Sequence, residues 1–175
     1  PTVAVIRRFN LRTGVPAGET RVERSPWLND IEVADDGTIY ATQSGDRGDN
    51  ANPATWQVWK ISPAGQASVF AQGAPLRVPN GIAFDPQGNI VVVNTGDSAV
   101  VTFSPTGQVL KTESAVQSGS DGLVIMPDGT KYVSSVLNGG VSRIRPGKPA
   151  VLIARNIPNG ASVCYVSGGN QLVNP

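Results

Sequence analysis

Short apolar runs of Val, Ile, Phe and Tyr recur along the chain, and each is closed by a turn containing Gly or Pro. Alternation with period two between such turns predicts strands, and no stretch carries the 3.6-residue apolar stripe of an amphipathic helix. Four segments align: residues 29–37, 80–88, 121–129 and the shorter 159–164. Each opens on Asn or Asp and continues into an alternating apolar stretch. The first three then reach Asp-Asp-Gly, Pro-Gln-Gly or Pro-Asp-Gly. Second strands are predicted over 38–42, 89–93 and 130–134. Third and fourth strands follow around a further glycine turn, as in 58–65, 101–107 and 143–147.

The segment starts lie 51, 41 and 38 residues apart, and an insertion at about 46–55 accounts for the longer first interval. Four short strands in about 40 residues is the period of a propeller blade. The expected fold is therefore all-β, a β-propeller of four-stranded antiparallel blades with about four blade equivalents in one partial domain. Residues 1–28 are read as the second half of a blade, 29–79, 80–120 and 121–158 as three blades, and 159–175 as the first half of another. The two halves either close a four-bladed ring or belong to a larger one, and the larger ring is the preferred reading.

Composition narrows the chemistry. With 14 basic and 13 acidic residues among 175, and no basic cluster interleaved with aromatics, neither a nucleic acid nor a membrane surface is an expected partner. Apolar runs such as Ile90-Val91-Val92-Val93 are too short to span a bilayer. A soluble protein is expected, with the cytoplasm and the periplasm or exterior left open. One cysteine, Cys164, excludes an intrachain disulfide and reads as a small core residue. There is no histidine, so catalysis must use carboxylates, amides, hydroxyls, Lys, Arg or an oxygen-held metal.

In a propeller the first strand of each blade lines the central channel. Asn29, Asn80, Asp121 and Asn159 would then form a polar ring at one mouth. Such groups need water, a metal or a substrate to satisfy them. Their oxygens suit one hard divalent cation, Ca²⁺ foremost, with Mn²⁺, Mg²⁺ or Zn²⁺ as alternatives. The competing reading is structural: Asn-Gly and Asp-Gly pairs before a strand also serve as turns, with Asn or Asp in the left-handed region. Recurrence of the position fits both readings.

Val78-Pro79-Asn80-Gly81-Ile82-Ala83-Phe84 with Asp85-Pro86-Gln87-Gly88, and Ser120-Asp121-Gly122-Leu123 with Pro127-Asp128-Gly129, resemble the SMP-30/gluconolactonase/LRE-like family. The resemblance implies a six-bladed propeller and, for many members, a lactonase with one divalent metal in the channel. It implies Asn80 and Asp121 as metal ligands, Asp121 also as the catalytic base, and Asn29 and Asp30 as residues facing the substrate. Asn159 joins them as a substrate-binding candidate by its place in the ring. The family's remaining ligand, a glutamate in a Glu-Gly-Pro-like setting, has no counterpart; Glu32 lies inside a strand and does not match.

The expected activity is metal-dependent opening of a lactone of a sugar or similar small molecule by water. A non-catalytic NHL-like binding propeller and a metal-independent enzyme resembling strictosidine synthase are the rivals, because the fold hosts all three. Self-association, or a second chain that completes the ring, is the expected macromolecular contact. Arg47-Gly48-Asp49 is read as a chance tripeptide in a solvated loop. Trp27, Trp56 and Trp59 are read as inter-blade packing, with Trp27 near the mouth. Glu19, Glu23 and Glu113 are read as surface carboxylates.

Overall fold

A computed structural model describes residues 3–175; residues 1 and 2 of the expected first half-blade lie outside the described residues. The chain opens with a hairpin of β1 (Ala4–Phe9) and β2 (Pro16–Val22). Three four-stranded antiparallel sheets follow. The first is β3 (Ile31–Val33), β4 (Ile39–Gln43), β5 (Gln57–Ile61) and β6 (Ala67–Gln72). The second is β7 (Pro79–Phe84), β8 (Ile90–Asn94), β9 (Ala99–Phe103) and β10 (Val109–Ser114). The third is β11 (Ser120–Ile125), β12 (Lys131–Ser135), β13 (Gly140–Ile144) and β14 (Val151–Ala154). A hairpin of β15 (Cys164–Val166) and β16 (Gln171–Val173) closes the described chain. Every sheet has its strands in sequence order, so the fold is a partial β-propeller of about four blades.

The turns explain the punctuation. Gly37, Gly88 and Gly129 all take positive φ, of 84°, 79° and 80°, which an L side chain rarely tolerates. The aspartates beside them accept backbone N–H bonds, as Asp36 Oδ1 does from Thr38 and Asp128 Oδ1 from Thr130. The first strand of each sheet is thereby joined to the second by a self-capped turn.

Both faces of a blade are covered, so its middle strands need not alternate with polar residues. In β8, Ile90 and Val92 pack with Tyr40, Val58 and Phe103 toward the preceding blade, while Val91 and Val93 pack with Val133 and Ile144 toward the next. This is why Ile90-Val91-Val92-Val93 runs unbroken. Tyr40, Phe70, Phe84 and Phe103 meet edge to face between the first two blades, with centroids 5.1 to 6.1 Å apart. Trp59 is buried with Ile6 and Val22 against the opening hairpin. Among the described residues, no helix is long and apolar enough to cross a membrane.

Two assignments by residue type are corrected. Cys164 is exposed at the start of a short edge hairpin, where no blade packs over it. Glu113 is half-buried rather than a free surface acid: its Oε2 accepts from Lys131 Nζ at 2.9 Å and pairs with Lys111 at 3.1 Å. Glu19 and Glu23 do lie at the surface, beside Arg7 and Arg21.

Candidate functional site at the channel mouth

Asn80 lies second in β7 and Asp121 second in β11, both in extended strand and neither with positive φ. The turn reading therefore fails for them. Gly81 and Gly122 follow because the strands nearly touch. A Cβ on Gly81 would overlap the Asp121 carbonyl oxygen, and one on Gly122 would stand 2.5 Å from Val163 N. Asn-Gly and Asp-Gly are thus the signature of close-packed inner strands.

Hydroxyls of the second strands hold this register. Thr42 Oγ1 donates to Asn80 O at 2.6 Å, and Ser134 Oγ donates to Ala161 O. Ser44 Oγ donates to Pro79 O and Thr95 Oγ1 to Ser120 O, each at 2.8 Å. Each of the three four-stranded blades is latched by these hydroxyls to the inner backbone of the blade that follows it. The same pattern makes Ala161 the equivalent of Asn80 and Asp121, two residues later than the sequence alignment expects. Asn159 is placed elsewhere: it has φ of 56° in the turn closed by Gly160 N to Ile157 O. It is exposed in a separate depression with residues 136–139 and does not join the ring. For this one position the turn reading holds.

Asn29, Asp30, Asn80 and Asp121 do come together, lining one cavity of about 310 Å³ with Glu32 and Ser162. Asn80 is 6% exposed. Its Nδ2 donates to Thr95 Oγ1 at 3.1 Å and to Asp121 Oδ2 at 2.9 Å, which commits both amide protons and leaves Oδ1 as the open acceptor. Asn29 Nδ2 donates to Ser44 Oγ at 2.9 Å, repeating the Asn80–Thr95 pairing one blade earlier. Asp30 accepts from Ile31 N at Oδ1 and from Ile82 N at Oδ2, so its carboxylate ties the first blade to the second. Each of its oxygens keeps a lone pair for a further donor.

Burial pushes the Asp121 carboxyl above its ordinary range; the Asn80 bond pulls it back, the Asp30 charge adds to the rise, and Arg47 opposes it. Burial, then the charge of Asp30, also raises Glu32. Sequence reasoning set Glu32 aside. The signal that finds it is period two, since Asp30 and Glu32 share a face of one strand.

The donor set suits a hard cation. Asn80 Oδ1 and the Asp121 carboxylate are oxygen donors beside two further carboxylates, with no competing nitrogen or sulfur. Among the described residues no three His, Cys, Asp or Glu side chains are grouped to hold a metal, so Asn80 and Asp121 are the residues that would hold one. Val78, just before this strand, takes φ of 52°, a strained value for a β-branched residue.

The fold and this mouth define a propeller with latched inner strands and a carboxylate- and amide-lined channel entrance. The chain belongs to the SMP-30/Gluconolactonase/LRE-like family, whose pattern matches residues 15–173. Among curated proteins, none matches it in sequence. Solved structures share the fold at low identity. A gluconolactonase from Xanthomonas campestris aligns with TM-score 0.62 and 20% identity over 90% of this chain and 61% of its own. Virginiamycin B lyase from Staphylococcus aureus aligns with TM-score 0.72 and 12% identity over 98% and 62%. A chain of the nidogen/laminin complex aligns with TM-score 0.73 and 16% identity over 99% and 67%. The chain thus spans about three-fifths of the two enzymes.

Proposed function

We propose that this chain carries the catalytic mouth of a divalent-metal-dependent lactonase. The observation that carries the reading is the Asn80–Asp121 pair: an amide with both protons committed and its oxygen open, beside a half-buried carboxylate. Asn80 Oδ1 and Asp121 would hold the ion. When bound, it supplies carbonyl polarisation and a more acidic water.

The chain's own groups do the rest. Asp121 accepts a proton from the attacking water. The water oxygen bonds to the carbonyl carbon, the ring C–O bond breaks, and the proton passes to the departing alkoxide, giving a hydroxy acid. Asn29 and Asp30 bind substrate hydroxyls, Asn29 through its open amide oxygen and Asp30 through its spare lone pairs. Glu32 adds negative charge that favours the cation.

The test is calorimetric titration of metal-stripped protein with Ca²⁺, Mn²⁺, Mg²⁺ and Zn²⁺, beside Asp121→Ala, followed by a lactone panel. One-site binding that the variant loses, with lactone opening, supports the reading. A folded wild type that binds none of the four ions overturns it.

A further inference from the structure

We propose that a second cavity beside the mouth is a subsite for an anionic substituent, so that the lactone opened here carries a phosphate or a carboxylate; this rests on the lactonase reading above. The cavity, of about 240 Å³, lies between the inserted loop and the segment leading into β7. Its wall includes Arg47, Asp49, Trp56, Arg77, Thr95 and Leu137.

Two guanidinium groups on one small cavity need a reason. Among the described residues, the carboxylates paired with Lys or Arg are Glu19, Glu23 and Glu113, and neither Arg47 nor Arg77 has an acid within ion-pair distance. Asp49 supplies one negative charge against two positive ones. Both arginines are exposed, so an incoming anion reaches them directly. Guanidinium groups bind carboxylate and phosphate through paired N–H donors, and two converging on one anion exceed what either gives alone.

Both arginines pack against neighbouring residues. Gly96 makes room for Arg77: a Cβ there would stand 2.6 Å from Arg77 Cγ and 2.8 Å from its carbonyl oxygen. Arg47 stacks over Trp27, its guanidinium carbon 5.9 Å from the ring centroid. The loop that carries Arg47 is itself tied down. Trp56 Nε1 donates to Asp46 O at 2.8 Å, and Gln43 Nε2 donates to Thr55 O at 2.8 Å.

The cavity lies one side chain away from Asn80. Thr95 forms part of its wall, and the Thr95 hydroxyl accepts from Asn80 Nδ2. A lactone with its carbonyl at Asn80 and Asp121 would have to reach past Thr95 to place a substituent in this space. Whole-ligand pockets run from about 300 Å³ upward, so this one is sized for a substituent and the 310 Å³ cavity for the ring.

The experiment compares binding of 6-phosphogluconate, glucarate and gluconate to the wild type, to Arg77→Gln, to Arg47→Gln and to the double variant, with circular dichroism to confirm folding. At least one of the two acids with an added anionic group is expected to bind about tenfold tighter than gluconate, a gap each single variant narrows and the double variant closes. Which of the two is preferred distinguishes phosphate from carboxylate. Equal affinity for all three acids, or a preference that survives in the double variant, overturns the subsite. Hydrolysis of glucono-δ-lactone, lost in Asp121→Asn, reports the parent reading separately. Hydrolysis without anion preference overturns the subsite alone; anion preference with no lactone opened overturns the lactonase reading and the substrate class with it, and keeps only the anion-binding cavity.

Discussion

Asn80 donates from Nδ2 to Asp121 Oδ2 at 2.9 Å, joining the inner strands of adjacent blades across 41 residues of sequence. The bond turns the amide so that its oxygen remains open, and it shares a nitrogen with the Asn80–Thr95 bond. Blade register and the candidate site at the channel mouth therefore meet at one side chain.

Asp121→Asn is expected to retain the fold, because an amide can still accept from Asn80. On the proposed mechanism it loses the proton acceptor and the anionic ligand. Lactone turnover should fall by about a hundredfold or more, read by a pH-indicator assay, with no loss of thermal midpoint. A variant within twofold of wild type would remove Asp121 from the mechanism.

Thr95→Val removes the hydroxyl that accepts from Asn80 and donates to the Ser120 carbonyl. Those groups are buried, so stability should drop by about 1–3 kcal/mol in a denaturant titration. Affinity for the cation should weaken as well, since Asn80 loses one of the two bonds that orient it.

Gly81→Ala places a methyl group against the Asp121 carbonyl. The inner strands must separate, at a cost of about 1–3 kcal/mol. Gly88→Ala, with open space around its Cβ but φ of 79°, serves as the comparison. It should lose stability through backbone strain while leaving metal binding unchanged in calorimetry.

Lys131 is almost fully buried, its side chain 4% exposed, and Glu113 is its counter-charge. Burial works to raise the Glu113 carboxyl, but hydrogen bonds and charge from Lys131 and Lys111 prevail and hold it below its ordinary value of 4.5. A carboxylate depressed on folding adds stability that is complete above the unfolded value and lost as pH falls through the folded one. Wild-type stability should therefore decline below about pH 4.5 more steeply than that of Glu113→Gln. At neutral pH the variant should be less stable by about 2–3 kcal/mol, because the ammonium is left unpaired. Equal denaturation midpoints at pH 7 would show the pair to be inconsequential.

Cys164 is the one cysteine and is exposed. An aromatic disulfide reagent should titrate one thiol per folded chain within minutes, without denaturant. Protection until unfolding would place the residue back in a core.

The propeller was legible because its strands are short, their turns need Gly at positive φ, and the pattern repeats about every 40 residues. Ile90-Val91-Val92-Val93 even reports burial on two faces. Asn29, Asn80 and Asp121 could be singled out because they recur at strand starts, and Asp30 through the family resemblance. Asn159 shows the limit: it shares the Asn-Gly pair, yet it sits in a turn and Ala161 takes the ring position. Residue type does not distinguish a left-handed turn from two strands in close approach. Glu113 was misjudged for a related cause, since burial of a charged side chain depends on what packs beside it.

What the amino-acid order alone determined is therefore local: strand, turn, repeat and the polar residue that opens each repeat. These follow from backbone preferences and nearest-neighbour patterning, which a chain carries wherever it goes. Tertiary structure decided which of those residues share a cavity and which oxygens stay free. It also decided that Lys131 is neutralised by Glu113 and that Arg47 and Arg77 face one space. Those outcomes depend on contacts between blades, where a hydroxyl from one strand fixes the register of another tens of residues away.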